Sequence, residues 1–424
     1  MIKKRNKAAQ AKVRNGLVAA LDIGTTKVCC LIARASAGEG TRVVGIGHHA
    51  SQGVRNGVLV DLDAAEATIR TTVEAAERMA GDNIRGVVVN VSTGAPRSKL
   101  VAYEVSVAGH EIGEADLRRI LDPAGVAHAA PADHEIVHVI PVGYSIDGCR
   151  GVRDPRGMFG QHLGVNLHLI TASAGAVRNL ATCVTRCHLD LEGKVVSPYA
   201  AALGCLVEDE TQLGVTLIDV GGGTTSIAVF FDSELIFTDS LPLGGLHVTR
   251  DLARGLSTPM AQAERIKTLY GSCQPSPSDA RQMVEVPPIT DDAAAEGIQV
   301  PRSMLVNIIR PRMEEIFEML RSRLQDAGFE RVTGRRAVLT GGGCQLPGTT
   351  DLAGQILDKQ VRIGRPRGID GLAEPVAGPA FATCAGLLRF AANQAQEGVD
   401  PVYRPTDTSA GRFGRLGQWL RENF

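Results

Sequence analysis

The chain has 424 residues, 44% of them hydrophobic and 21% charged, with a formal net charge of −1. That length calls for several lobes and supplies ample apolar material for a core. The near-neutral charge and an aromatic content of 4% leave no global pull toward nucleic acid and no base-stacking surface, so no nucleic-acid partner is expected.

Residues 1–16 carry Lys3, Lys4, Arg5, Lys7, Lys12 and Arg14. The apolar stretch that follows is broken by Asp22 and by Gly24-Thr25-Thr26-Lys27, so the segment reads as a flexible basic tail rather than a signal peptide. No run of about 18 uncharged apolar residues occurs, and no membrane-spanning helix is expected. The nine cysteines include the adjacent pair Cys29-Cys30, and none is spaced like a zinc site. They read as small buried hydrophobes in a reducing compartment.

Residues 17–34 read LVAALDIGTTKVCCLIAR, and residues 214–232 read GVTLIDVGGGTTSIAVFFD. Each is an apolar strand ending in Asp-x-Gly, a Gly/Thr turn, and a second apolar strand. Asp22 matches Asp219, Gly24 matches Gly221, and Thr25-Thr26 match Thr224-Thr225. One such turn alone reads equally well as a plain tight hairpin. Two copies half a chain apart predict two similar halves, each with a phosphate-binding hairpin. The glycines Gly24, Gly221, Gly222 and Gly223 let backbone N–H groups approach an anion. The hydroxyls of Thr25, Thr26, Thr224 and Thr225 add donors, and Lys27 brings positive charge to the terminal phosphates. Asp22 and Asp219, at the strand ends, suit a hydrated divalent cation such as Mg²⁺.

Between and beyond the hairpins, residues 114–121 and 303–325 have helical patterning, and residues 135–146 alternate like a strand. Glu264 and Lys267 lie three apart on one helix face. Val338-Leu339-Thr340 reads as a strand running into Gly341-Gly342-Gly343, a stretch of bare backbone against which a flat ring can lie. Segments 198–204 and 379–388 are rich in small residues and suit two helices that cross closely where lobes join. Residues 392–411 read as a linker. From Arg412 the chain reads RFGRLGQWLRENF. On a helix Phe413, Leu416, Leu420 and Phe424 share one arc with Trp419 at its edge, while Arg412, Arg415 and Arg421 favour anionic lipid. This predicts an amphipathic helix that folds on a membrane surface.

In this chain order the features resemble the actin, sugar-kinase and heat-shock-chaperone ATPase superfamily. Within it the sequence is most similar to the FtsA family of bacterial division proteins, through LDIGTTKV (21–28), HVIPVGYSIDG (138–148), HLITAS (168–173), IDVGGGTTSIAV (218–229), AERIK (263–267), VEVPP (284–288), VLTGGG (338–343) and VRIGRPRGIDGL (361–372). The resemblance implies an α/β, actin-like two-lobe fold of duplicated ribonuclease-H-like halves. Its first large lobe would be 17–84, continued by 170–200 and 377–391. Residues 85–169 would be the inserted subdomain, 201–241 with 333–376 the second large lobe, and 242–332 its smaller neighbour.

The resemblance further implies ATP with Mg²⁺ as ligand. Glu264 and Lys267 would approach the nucleoside, with Gly341–Gly343 beside it. Many members of the superfamily have Glu-Pro at the start of the first connecting helix. Here the position is Ser197, before Pro198, and a serine is a poor base, so slow or undetectable hydrolysis is expected. The family role implied is a filament-forming scaffold on the inner face of the cytoplasmic membrane at the division site, anchoring FtsZ and recruiting later division proteins. The acidic FtsZ tail would dock on 242–332, where Arg302, Arg310 and Arg312 are candidates. The interleaved Glu314, Glu315 and Glu318 leave a plainly solvated helix as the alternative. A pilus-assembly scaffold or a sugar or metabolite kinase of the same superfamily are the rival readings.

Overall fold

Strand β1 (Leu17–Ile23) is apolar and buried from Val18 onward on both faces, the pattern of a central strand in a covered sheet. The computed structural model describes residues 16–36, 40–122, 127–289, 297–330, 332 and 334–397. The basic N-terminal residues and the amphipathic segment 412–424 lie outside them. After β1 the chain turns sharply into β2 (Lys27–Ser36), which returns antiparallel with Asp22 opposite Cys29. β3 (Gly40–Ala50) follows antiparallel to β2. A small hairpin of β4 (Val54–Arg55) and β5 (Val58–Leu59) leads to helix α1 (Leu62–Ala80). The Asp61 carboxylate caps this helix by accepting from the backbone N–H groups of Asp63 and Ala64, and Gly81 in the left-handed region ends it. Its buried face is Ala65, Ile69, Val73 and Ala76, at helical spacing. β6 (Gly86–Val91) then pairs parallel to β1.

The chain next leaves the lobe to build a separate antiparallel sheet. β7 (Arg97–Ser106), α2 (Glu114–Ile120), β8 (His134–Ile146), β9 (Cys149–Val152) and β10 (His162–Ser173) follow in turn. The sheet order is β7-β10-β8-β9. Ile112, Leu117, Ile120, Leu163 and Leu167 form its own core. The chain returns through α3 (Ala174–Arg186), β11 (Asp190–Val196), α4 (Ser197–Cys205) and α5 (Glu208–Leu213). The completed first sheet has order β11-β6-β1-β2-β3.

The second half repeats the first. β12 (Val215–Val220), β13 (Thr225–Phe231) and β14 (Glu234–Leu241) form an antiparallel run. A helical excursion follows: α6 (Gly245–Gly255), α7 (Met260–Tyr270), the hairpin β15 (Met283–Val286) and β16 (Ile298–Pro301), then α8 (Arg302–Asp326). β17 (Arg336–Thr340), α9 (Thr349–Leu357) and β18 (Gln360–Ile363) complete the sheet, and α10 (Ala382–Glu397) closes the described chain. The order is β14-β13-β12-β17-β18, with β12, β17 and β18 parallel. This matches the first sheet strand for strand, β17 standing for β6 and β18 for β11. The duplication expected from two turns extends through both sheets.

Three expectations need adjustment. β6 lies within the span assigned to the insert but belongs to the first sheet. Helix α10 continues to Glu397, into the stretch read as linker. Cys149, on a strand of the insert, is exposed rather than buried. Among the described residues no helix is long and apolar enough to cross a membrane.

The two small-residue helices cross as expected. A Cβ on Gly386 of α10 would fall 1.6 Å from the Ala200 carbonyl oxygen of α4, and one on Gly204 2.1 Å from that of Ala382. Backbone meets backbone there, and only glycine permits it. The crossing fixes where α4 and α10 begin, and both begin at the cleft.

Candidate functional site

The two hairpin turns are built alike and face each other. In the first, Gly24 N–H donates to the Lys27 carbonyl at 3.0 Å; in the second, Gly221 N–H donates to that of Thr224 at 2.9 Å. A Cβ on Gly222 would lie 2.4 Å from Thr26 Cγ2, and one on Gly223 2.5 Å from Thr25 Oγ1. Around this junction opens a cleft of about 380 Å³, within the range of small-molecule sites. It is lined by Asp22, Gly24, Thr25, Thr26 and Lys27 from the first half, and by Asp219, Gly221–Thr224, Glu264, Lys267 and Gly341–Gly343 from the second.

Thr225 is the exception among the expected residues. It opens β13 opposite Val220, is fully buried, and donates its hydroxyl to the Leu243 carbonyl at 2.8 Å. It holds the approach to α6 and offers nothing to the cleft.

Asp22 and Asp219 sit at equivalent strand ends. Burial pushes the Asp22 carboxyl up to about 6; Lys27 opposes this and Asp219 adds to it. Burial likewise raises Asp219, against the hydroxyl of Thr383, which donates to its Oδ2 at 3.1 Å, and the charge of Lys27. Gly341, at φ 84°, passes so close that a Cβ would lie 2.3 Å from Asp219 Oδ1. Lys27 Nζ donates to the Ala380 carbonyl and stands 3.8 Å from the centre of the Phe381 ring, a cation–π placement. Among the described residues its ammonium has no second hydrogen-bond acceptor, which leaves donor capacity for an anion.

At the other end of the cleft, Lys267 pairs with Glu264 Oε2 at 2.7 Å. It also donates to the Gly245 carbonyl at 3.1 Å and the Thr249 hydroxyl at 2.9 Å. The Gly341–Gly343 turn lines the same cleft.

The sequence reading missed Asn90, Ser92, Ser226, Thr268, Gln345 and Thr383 as lining residues and did not foresee Ser197 beside Asn90. One signal was available: Asn90 is a lone polar residue inside the apolar run VVVNV. Thr383 sits in a small-residue helix and carries no local mark.

The arginines read as a partner site are already engaged. Arg302 pairs with the buried Asp279 and donates to the Tyr270 carbonyl at 2.8 Å. Arg310 pairs with Glu314 at 2.6 Å. Arg312 meets Asp251 at 2.6 Å and also Glu315.

A duplicated five-stranded sheet, closed by crossing helices over a glycine-lined cleft, defines an actin-like fold. Solved structures agree on that fold. The PilM-PilN type IV pilus biogenesis complex matches with a TM-score of 0.63 at 18% identity, over 91% of this chain and 99% of that one. MreB5 of Spiroplasma citri bound to ADP matches with a TM-score of 0.56 at 13% identity, over 90% and 97%. The MamK double helical filament matches with 0.52 at 15%, over 88% and 98%.

Sequence comparison narrows the class. Residues 216–386 match the family model described as cell division protein FtsA, and residues 94–171 the SHS2 domain inserted in FtsA. The cell division protein FtsA of Agrobacterium fabrum is 44% identical over 97% of this chain and 96% of its own length. That of Pseudomonas aeruginosa is 34% identical over 98% and 100%, and that of Escherichia coli K12 30% over 96% and 98%. The chain belongs to the FtsA family of cell division proteins.

Proposed function

We propose that this chain is an ATP- and Mg²⁺-binding scaffold that anchors FtsZ filaments to the cytoplasmic face of the inner membrane and recruits later division proteins. The cleft carries the reading. Two facing turns present glycine backbone and threonine hydroxyls, suited to phosphate. Asp22 and Asp219 are carboxyls raised by burial, and a cation between them would stabilise their charged forms. Among the described residues no three His, Cys, Asp or Glu side chains converge to cage a metal. A cation here would complete its shell with phosphate and water, as Mg²⁺ prefers. Glu264, Lys267 and Gly341–Gly343 would receive the nucleoside. Ser197 cannot serve as a strong base, so turnover is slow.

The membrane function falls to Phe413, Leu416, Trp419, Leu420 and Phe424, with Arg412, Arg415 and Arg421 toward anionic headgroups. One such helix binds weakly, and a filament of many subunits binds through avidity. The FtsZ tail is assigned to residues 242–332; it would have to compete with the carboxylates that Arg302, Arg310 and Arg312 hold. The SHS2 insert and the full-length FtsA relatives favour division over a pilus scaffold or a sugar kinase.

Co-sedimentation with phosphatidylglycerol-containing liposomes, with ATP and Mg²⁺, tests the reading. The full chain pellets and carries FtsZ with it, while a chain ending at residue 410 stays in solution. If both chains stay in solution at micromolar protein, the tail is no anchor and the scaffold loses its membrane.

A further inference from the structure

We propose that Ser197, oriented by Asn90, is the group that distinguishes a bound nucleoside triphosphate from a diphosphate. The inference rests on the nucleotide reading of the cleft. Asn90 lies on β6 and is 4% exposed. Its Oδ1 accepts from the Ile23 backbone N–H at 2.7 Å. Because that N–H can only donate, it fixes which side of the amide is oxygen. The amide nitrogen then donates to Ser197 Oγ at 3.2 Å and, at 3.5 Å, to the Ile23 carbonyl. A hydroxyl that accepts from Asn90 still has its own proton to give. Among the described residues that proton has no acceptor in hydrogen-bond reach. Ser197 is 6% exposed, and what remains open to it is the cleft, which it lines.

Position assigns the target. The groups for the nucleoside, Glu264, Lys267 and Gly341–Gly343, all come from the second half. Ser197 and Asn90 come from the first, next to the end of β1 and on the same side as Asp22. A nucleotide lying along the cleft from Lys267 toward Asp22 brings its last phosphate to Ser197. A diphosphate falls short of it. The hydroxyl donates to an anionic oxygen, a charge-assisted bond, yet it draws no proton from water. The pair therefore favours the triphosphate without cleaving it, so that occupancy itself carries the signal.

Calorimetric titration of the full chain with Mg-ATP and with Mg-ADP tests this. The wild type prefers ATP. In Ser197→Ala the preference falls about tenfold, the usual effect of losing one hydrogen bond to a charged group, and it falls through weaker ATP binding. Ser197→Thr keeps the hydroxyl and restores the preference. Asn90→Asp still accepts from Ile23, but its second oxygen takes the Ser197 proton, and the preference falls although Ser197 remains. If Asn90→Asp does not fold, the Ala and Thr variants of Ser197 decide between them. An unchanged ATP-to-ADP ratio in Ser197→Ala, or an equal loss for both nucleotides, overturns the inference and leaves the cleft reading standing. A wild-type chain that binds neither nucleotide removes the cleft reading and the inference with it.

Discussion

Asp22 and Asp219 were legible in the sequence because each ends an apolar strand just before a glycine turn, and the pattern occurs twice. Their energetic state was not legible, since it depends on burial by distant segments. The Asp22 carboxyl is held near 6, above its ordinary value of 3.8. The protonated form is thus favoured in the folded state. Stability from this group is full below pH 4 and is lost as pH rises through about 6. In EDTA, Asp22→Asn should therefore stabilise the chain at pH 7.5 by about 2–3 kcal/mol and leave it unchanged near pH 4. Urea denaturation at the two pH values checks this. The same variant should weaken Mg-ATP binding, because the cation loses a charged ligand. Thr225 shows where motif matching failed. The second copy carries two more glycines in its turn, so Thr224 occupies the tip and Thr225 already begins β13. Strand alternation then turns its side chain inward.

At the scale of elements, the helix crossing was legible and the ownership of β6 was not. Small residues at 198–204 and 379–388 announce close approach by their lack of bulk. The run VVVN reads the same in any covered sheet, and its place is decided by parallel pairing with β1 and β11. The crossing of α4 and α10 is also the support of the cleft, because α4 begins with Ser197 and α10 carries Thr383, which donates to Asp219. Gly386→Ala puts a methyl 1.6 Å from the Ala200 carbonyl, so the helices must part. Overpacking of this kind costs about 3 kcal/mol. A melting point lowered by several degrees, with weaker nucleotide binding, is expected. Gly175→Ala in α3 is the control: its added Cβ meets nothing within 4 Å, and it should stabilise by about 0.5–1 kcal/mol. If the two variants melt together, the close crossing is not what holds the helices.

Across the whole molecule the insert touches both halves. Toward the first, its His138 Nε2 accepts from Val196 N–H at 3.1 Å, and Glu135 pairs with Lys194. Toward the second, Ser98 Oγ accepts from Thr238 N–H at 3.1 Å, Arg153 pairs with Asp232 at 2.9 Å, and Val142 packs into the core of that half. The sequence marked the insert by its family likeness but said nothing of these contacts, whose polar pairs join residues 58 to 140 positions apart. The insert is thus fastened to both halves by polar contacts. The second fastening has a titratable neighbour in Glu234. Burial raises Glu234 to about 7, its neighbour Asp232 adds to this, and Arg153 opposes it. Because the protonated form is favoured in the docked state, the contact is firmest below the ordinary glutamate range and loosens as pH rises through about 7. Hydrogen exchange in residues 232–238, corrected for intrinsic rates, should therefore quicken between pH 6 and 8. Arg153→Ala should quicken it further, since Glu234 loses its one opposing charge, and Glu234→Gln should remove the dependence. Exchange that ignores both substitutions would mean that apolar packing around Val142 alone holds the insert to the second half.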